Sequence, residues 1–297
     1  MKETLDIKSV CECNRRLGCK TLHPQASIIN LEHPDLEQEA VKFEFYTVLL
    51  IEECSDGYCC CGRKYYDYSN ATMVFLKPGE IFRMSKADVL PDKGWLLTFH
   101  PDLLYRTSLK NHIKNYTFFS YSKEEALHLS QRETATIICC LENIEEELQH
   151  SIDKHSKNLI VNNIELLLNY CMRFYDRQFI TRSNINKDIL TKFEHLLNDY
   201  FLSDKLQEIG LPSVQYCADQ LHLSPNYFGD LIKKETGNSP QEHIQLKLIA
   251  TAKERIFDTS KSISEVAYDL GFKYPQHFTR LFKKVVGCSP NEYRQMN

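Results

Sequence analysis

Two pairs of adjacent lysines stand near the end of the chain, each eight residues after a proline. The pairs are Lys233-Lys234 and Lys283-Lys284. Ammonium groups are common partners of nucleic-acid phosphates. Between Pro275 and the second pair stand Gln276 and Arg280, whose side chains can hydrogen-bond the edges of adenine and guanine in the major groove. The chemistry that these residues favour is binding of double-stranded DNA.

The lysine pairs belong to an internal repeat. Segments that begin at Ser213 and Ser262 align with an offset of 49 before a turn and 50 after it, so the extra residue falls in the turn. The recurring residues include Ala218/Ala267, Phe228/Phe278, Lys233/Lys283, Gly237/Gly287, Ser239/Ser289 and Pro240/Pro290. Such self-similarity predicts two copies of one supersecondary unit.

Each copy has the pattern of a helix-turn-helix unit, at about 213–237 and 262–287. A serine can cap the first helix, a central alanine allows close packing, and a glycine ends the second helix. A helix at about 240–257 should hold the units in a fixed relation. Two second helices on one frame could enter successive major grooves, about 34 Å apart.

The residues that contact DNA should lie at the N-terminus and on the exposed face of each second helix. The predicted base-reading set is Tyr274, Pro275, Gln276, Thr279 and Arg280 in the second unit, with Pro225, Asn226, Gly229 and Asp230 in the first. The predicted phosphate set is Lys233, Lys234, Lys273, Lys283 and Lys284. Alternatively, Arg280 holds a phosphate or an acid, and Asp230 is a solvated or salt-bridged carboxylate. In that case the first unit mainly docks. His277 should pack near Phe278.

Residues 190–297 resemble the DNA-binding domain of the AraC/XylS family. The resemblance rests on Ile263, Ala267, Gly271-Phe272, Phe278, Arg280, Phe282-Lys283-Lys284, Gly287, Ser289-Pro290 and Tyr293-Arg294. It implies a bacterial transcription regulator that contacts RNA polymerase, with a small-molecule effector in an N-terminal barrel and helix-mediated homodimerisation. The motifs do not encode whether it activates or represses.

The rest of the chain predicts an α+β protein of two domains. Strands expected at 42–51, 58–68, 72–76 and 95–99 indicate a cupin-like β-barrel within residues 1–180. Helices should begin at about 123 and cover 124–150 and 157–179. Their apolar stripes either pack on the barrel or partly form a dimer seam. Residues 181–188 read as a polar linker, and 189–297 as an all-α domain that begins with a helix at 189–201.

Charge and composition narrow the class further. The chain has a net charge of −4 and is 42% hydrophobic. No signal peptide or membrane span is visible, which predicts a cytoplasmic protein without membrane partners. From Leu190 onward, 13 basic residues balance 13 acidic ones, and from Lys261 onward six basic residues oppose three acidic ones. Charge that attracts DNA should therefore be concentrated near the end of the chain.

The 12 cysteines invite a metal or redox interpretation, which the spacing does not favour. Cys11, Cys13 and Cys19 lack a standard zinc spacing, and the consecutive Cys59–Cys61 would alternate between the faces of a strand. Scattered histidines do not predict a metal-dependent barrel enzyme either. We expect no catalytic residues, metal or cofactor. The main rival class is a sensor or interaction protein whose first helix-turn-helix unit has lost DNA reading.

Overall fold

The protein is described here by a computed structural model, which covers residues 4–32, 40–53, 61–64, 67–83 and 93–296. The chain divides into two compact units, residues 1–181 and 182–297. The expected α+β layout of two domains is confirmed, because unit 1 contains the sheets and unit 2 is helical. Within the described residues, no helix combines the length and hydropathy that a membrane crossing requires.

The described residues of unit 1 form two β-sheets. Its strands are β1 (Leu5–Ile7), β2 (Ala26–Glu32), β3 (Ala40–Phe43), β4 (Tyr46–Glu53), β5 (Ala71–Leu76), β6 (Glu80–Arg83), β7 (Lys93–Phe99) and β8 (Leu127–Leu129). One sheet has the order β1-β3-β6, and the other has the antiparallel order β2-β7-β4-β5-β8. The apolar faces of both contribute to one core, where Ile7, Val41, Leu49 and Leu96 are buried.

The predicted cupin-like barrel is not what the described strands form. The five-stranded sheet is open, with β2 and β8 at its edges, and it is not hydrogen-bonded to the three-stranded sheet among these residues. A helix, α3 (Gln131–Gln149), packs against both edge strands. Covering an edge with a helix protects its backbone groups without closing a barrel. The strand predicted at 58–68 is not confirmed, because residues 61–64 and 67–68 form turns and irregular structure, and residues 58–60 and 65–66 lie outside the described residues.

The described residues of unit 1 also form four α-helices and several 3₁₀ turns. The α-helices are α1 (Val10–Arg16), α2 (Ser108–His112), α3 and α4 (Ser156–Thr181), and 3₁₀ turns span 101–104, 113–115, 117–120 and 123–125. Helix α3 starts later than the predicted 123–124, because β8 precedes it and Ser130 forms a capping box with Glu133. The stripes of α3 and α4 are buried inside the unit, so they do not supply an exposed dimer seam.

Unit 2 consists of eight helices in its described residues. They are α5 (Ser183–Leu202), α6 (Lys205–Glu208), α7 (Val214–Gln220), α8 (Pro225–Thr236), α9 (Pro240–Ile256), α10 (Ile263–Asp269), α11 (Pro275–Val286) and α12 (Pro290–Met296). The predicted linker at 181–188 is wrong for most of its length, because α5 starts at Ser183. Asn186 is buried there and donates to the Glu235 carboxylate at 3.0 Å. This hydrogen bond connects the polar start of α5 to α8.

Aromatic side chains form much of the core of unit 2. Phe193 of α5 packs edge-to-face on Phe228 of α8, with ring centroids 5.0 Å apart. Phe278 and Phe282 of α11 are fully buried and lie 5.7 Å apart. One buried phenylalanine face on each of α8 and α11 therefore fixes which side of each helix is left for solvent or a ligand.

Candidate nucleic-acid interface

The first helix-turn-helix unit is formed by α7 and α8. Ser213 caps α7 by accepting a hydrogen bond from the Tyr216 N–H, and Ala218 is buried at the crossing, as the sequence pattern predicted. The turn places His222 at φ +56°, a left-handed conformation that is unusual for a residue with a side chain. Ser224 then caps α8 at the Tyr227 N–H, and Pro225 occupies the first turn.

The second unit repeats this plan with α10 and α11. Ser262 and Glu265 form a reciprocal capping box at the start of α10. The turn residue is Gly271 at φ +80°, at the position of His222 in the first unit. A Cβ on Gly271 would lie 2.4 Å from the Leu206 carbonyl oxygen, so glycine is needed for backbone proximity as well as for conformation. Helix α11 starts at Pro275 without a side-chain cap.

Helix α11 presents a polar face opposite Phe278 and Phe282. Four of the predicted DNA-contacting residues on this face are exposed: Gln276, Arg280, Lys283 and Lys284. They recur at spacings of three and four residues, so they share one side of the helix. Thr279 and Pro275 are half-buried at the margin, and Tyr274 and Lys273 are exposed before the first turn. The structure therefore brings the predicted set of this unit together on one surface.

Helix α8 presents the equivalent face with different chemistry. Asn226, Lys233 and Lys234 are exposed, and Gly229, Asp230 and Pro225 are half-buried. With the offset of 50, Asp230 stands at the position of Arg280, and Gly229 at that of Thr279. The two equivalent surfaces thus carry opposite charge at their centre. Gly229 has an ordinary φ, and nothing lies within 4 Å of the Cβ that it lacks.

Both second helices end in the same way. Gly237 and Gly287 adopt the left-handed conformation, and their N–H groups donate to the carbonyl oxygens of Lys233 and Lys283. The lysine pairs therefore lie in the last turn, where cations are favoured by the helix dipole. Desolvation lowers the pKa of the Lys234 ammonium, although the side chain as a whole is exposed.

A repeated Ser-Pro-x-Glu segment follows each unit and starts the next helix. Ser239 and Glu242 form a capping box at α9, and Ser289 and Glu292 exchange the same two hydrogen bonds at α12. In each case the serine N–H donates to the glutamate carboxylate and lowers its pKa.

Two arginines that the sequence analysis did not assign to the frame bind backbone carbonyls. Arg255 of α9 donates to the Asp269 carbonyl oxygen at 3.1 Å, which joins α9 to the end of α10. Arg294 of α12 donates to the carbonyl oxygens of Ile256 at 2.6 Å and Lys261 at 3.0 Å. For Arg294, the sequence signal was its position in the family motif. For Arg255 the sequence carries no signal, because the carbonyl that it binds lies 14 residues away.

One of the six cations from Lys261 onward is paired with one of the three acids counted there. The Lys261 ammonium lies 2.6 Å from the Asp269 carboxylate, which raises the pKa of the lysine and neutralises its charge locally.

His277 is exposed and does not pack near Phe278 as predicted. Its ring contacts the Tyr274 ring edge-on, with ring centroids 5.5 Å apart. The imidazole has no place in the apolar core because Phe278 and Phe282 fill it.

The cysteines form no recognisable metal site in the part of the chain that is described. No group of three or more His, Cys, Asp or Glu side chains is arranged to hold a metal there. Cys13 is buried, and burial raises the pKa of its thiol to about 12. Cys11 and Cys19 are half-buried, and Cys59 and Cys60 lie outside the described residues.

Comparison with known proteins identifies relatives of the C-terminal region. A family profile described as "Helix-turn-helix domain" matches residues 217–296. YtdP, an uncharacterized HTH-type transcriptional regulator of Bacillus subtilis, is 34% identical over 109 residues, which are 37% of this chain and 13% of YtdP. The TetD protein of transposon Tn10 from Escherichia coli is 31% identical over 145 residues, which are 48% of this chain and 91% of TetD.

A solved structure also matches this region. The C-terminal domain of AraT, a response regulator from Geobacillus stearothermophilus, is 27% identical and covers 37% of this chain and 85% of that domain, with a TM-score of 0.33. The chain spans 13% to 46% of the length of three curated Bacillus relatives that it matches.

Proposed function

Because this chain belongs to the AraC-type helix-turn-helix transcription regulators, we propose that it binds specific sites in double-stranded DNA through both units. The observation that carries the proposal is the pair of equivalent polar faces on α8 and α11. Each face is exposed because the phenylalanines on the opposite side of its helix are buried in the core. A major groove accepts one such helix, and a second unit on the same frame extends the site along the duplex.

In this proposal the second unit reads sequence. Arg280 would donate two hydrogen bonds to guanine O6 and N7, and Gln276 would pair with adenine. Thr279, Pro275 and Tyr274 would contact thymine methyl groups or the groove wall. Gln276 and Arg280 are exposed on α11, as base reading requires, since a buried side chain cannot reach a base edge. Phosphate contacts come from Lys273, Lys283 and Lys284.

The first unit, in contrast, mainly docks. Lys233 and Lys234 would contact phosphates, and Asn226 would reach a base or a phosphate near the start of α8. Gly229 adds no side chain, and the Asp230 carboxylate repels phosphates unless it accepts from a cytosine amino group. The N–H groups at the start of α8 add a backbone contribution to anion binding.

Unit 1 would regulate this binding by sensing a small effector or by forming a homodimer. The helix-lined sheets of unit 1 contain an apolar cavity, which supports the first of these roles. An outer face of α4 with exposed Leu159 and Leu166 seven residues apart supports the second. We also propose that RNA polymerase is the partner through which DNA binding changes transcription, and that the protein has no enzymatic activity.

The decisive experiment is selection of bound duplexes from a randomised DNA pool by the full-length protein at near-physiological salt. A bipartite motif with halves about one helical turn apart would mean that both units read sequence. A single short motif would assign reading to α11. If no sequence is enriched, repeating the selection with residues 182–297 separates a requirement for an effector from a failure of the proposal.

A second candidate function is an interaction protein in which DNA binding has decayed. Asp230 at the position of Arg280, with Gly229 beside it, is the observation that favours this class. The salt dependence of DNA binding distinguishes the two functions. Several phosphate contacts make the affinity fall steeply with salt, at about 0.9 logarithmic units per contact for each tenfold rise, and a decayed interface shows no such slope.

A further inference from the structure

Arg255 lies near the C-terminal end of α9, the helix that connects the two helix-turn-helix units. Its side chain is half-buried, and its guanidinium donates to backbone carbonyl oxygens of two other helices. Nη1 lies 3.1 Å from the Asp269 oxygen, and Nη2 lies 3.5 Å from the Phe201 oxygen. Asp269 is the last residue of α10, and Phe201 is the next-to-last residue of α5. One side chain therefore contacts the C-terminal ends of both helices.

The chemistry of these helix ends explains why arginine suits this position. The last four carbonyl groups of an α-helix have no N–H partner within the helix, and both acceptors of Arg255 belong to such a set. The C-terminus of a helix also carries a partial negative charge, which favours a nearby cation. A guanidinium has five N–H donors in one plane, so it can donate to two carbonyl groups at once.

The end of α5 belongs to the frame of the first unit. Phe193 of α5 packs on Phe228 of α8, with ring centroids 5.0 Å apart. Helix α6 follows α5 and leads to α7, the first helix of this unit. A movement of α5 would therefore displace α8, the helix of the first unit that we propose contacts DNA.

The end of α10 belongs to the frame of the second unit. After Asp269 the chain turns at Gly271, and α11 begins at Pro275. The Asp269 carboxylate also accepts a hydrogen bond from Gln207 of α6 at 3.4 Å, so this end of α10 is held from two sides. Because the turn to α11 starts at Asp269, the position of Asp269 influences the position of α11.

We propose that Arg255 is a positioning residue that fixes the distance between α8 and α11 by joining the ends of α5 and α10 to α9. The proposal deepens the proposed function and rests on it for the consequence in DNA binding. Successive turns of a major groove are about 34 Å apart, so two helices that are already held in register lose less conformational freedom when both bind. Arg255 acts through backbone carbonyl groups rather than by contact with DNA.

The distance between the two helices in the free, full-length protein tests the proposal without DNA. Spin labels carried by non-natural amino acids replace Lys233 and Lys283, which are exposed at equivalent positions of α8 and α11. Pulsed electron paramagnetic resonance then gives the distribution of distances between the labels. Arg255→Met keeps an unbranched side chain but removes every donor. It should broaden or shift this distribution by about 1–2 Å, the size of helix shifts at packed interfaces.

Two further variants separate the hydrogen bonds from charge and general packing. Arg255→Lys retains the charge and a donor, so its distribution should lie closer to that of the wild-type protein. Lys247→Met is the matched control, because it removes a cation from another half-buried position of α9, whose side chain makes no hydrogen bond among the described residues. It should leave the distribution unchanged. Circular dichroism verifies folding, and Arg255→Gln replaces Arg255→Met if the latter does not fold.

The affinity of the unlabelled variants for DNA measures the functional consequence. Arg255→Met should weaken binding to the duplexes that the wild-type protein selects by about fivefold to tenfold, because ordering the two units then opposes binding. The preferred bases should not change. The proposal is overturned if Arg255→Met has the wild-type distance distribution, even with a lowered melting temperature, or if Lys247→Met changes the distribution as much. Since the distances are measured without DNA, a failed duplex selection would overturn the proposed function and leave this test valid.

Discussion

Asp230 and Arg280 occupy equivalent positions on α8 and α11, and they differ in charge. Each lies four residues after a polar amide, Asn226 or Gln276. One backbone plan thus presents an acceptor in the first unit and a donor in the second. Their side chains, rather than the fold of the units, therefore distinguish the two faces that we propose contact DNA.

Arg280→Ala should cost about 1–3 kcal/mol of DNA-binding free energy and relax the preference at one base position. The reason is the loss of a two-pronged hydrogen bond to guanine. The measurement is a repeat of the duplex selection together with affinities for the selected site and its single-base variants. An unchanged preference at every position would mean that Arg280 contacts only phosphate or an acid.

Lys283→Ala should weaken binding to all duplexes about equally and flatten the slope of log affinity against log salt by about 1. Lys283 is exposed one turn further along the same face of α11, so it is the matched comparison for Arg280. Titrations at four salt concentrations on specific and random duplexes provide the slope. A change in base preference without a change in slope would contradict the phosphate role.

At the scale of the elements, two glycines with opposite roles test the packing of the units. Gly229 sits inside α8 with open space around it, so Gly229→Ala should raise the free energy of unfolding by about 0.5–1 kcal/mol. Gly271→Ala should lower it by at least about 1–3 kcal/mol, because the residue needs φ +80° and lies against the Leu206 carbonyl. Urea unfolding of both variants measures these changes. If Gly229→Ala lowered the free energy of unfolding, the open space that the structure shows around Gly229 would be contradicted.

The capping boxes make unit 2 sensitive to acid. The Ser289 N–H donates to Glu292 and lowers the pKa of that carboxyl, as Ser262 does for Glu265. A carboxyl with a lowered folded pKa contributes stability above its unfolded pKa, near 4.3, and this contribution is lost as the pH falls through the folded value. Glu292→Gln should therefore lower the melting temperature at pH 7, and this difference should shrink as the pH falls through the lowered pKa of Glu292. A constant difference across this range would contradict the charge mechanism.

Elements with local signals could be predicted from the sequence, and elements that depend on distant partners could not. Helix α8 was expected at about 225–235 and spans Pro225–Thr236, because Pro225 and Gly237 mark its ends. Strand β1, however, has three residues and exists through pairing with β3, 35 or more residues away. The face of α11 followed from periodicity, whereas the bonds of Arg255 to distant carbonyls had no sequence signal.

At the scale of the whole molecule, the chain is acidic and still carries a surface suited to DNA. The net charge is −4, and the helical region from Leu190 onward is balanced. Attraction to phosphates therefore depends on local arrangement, with four lysines in the last turns of α8 and α11 and Arg280 about one turn before the pair on α11. Under these conditions a single carboxylate on the same surface weighs more than it would on a strongly basic domain.

Asp230→Asn tests this balance. If Asp230 only repels phosphates, the substitution should tighten binding to all duplexes by about 1 kcal/mol, roughly fivefold, as expected for one unit charge near a phosphate in water. Glu194→Gln is the control, because it removes the same charge from an exposed position on α5, which is not one of the recognition helices, and should change affinity less than about twofold. The measurement is affinity at fixed, near-physiological salt for the selected site and for random duplexes. If Asp230→Asn instead weakens the selected site and relaxes one cytosine, the carboxylate accepts from that base, and the first unit reads sequence as the second does.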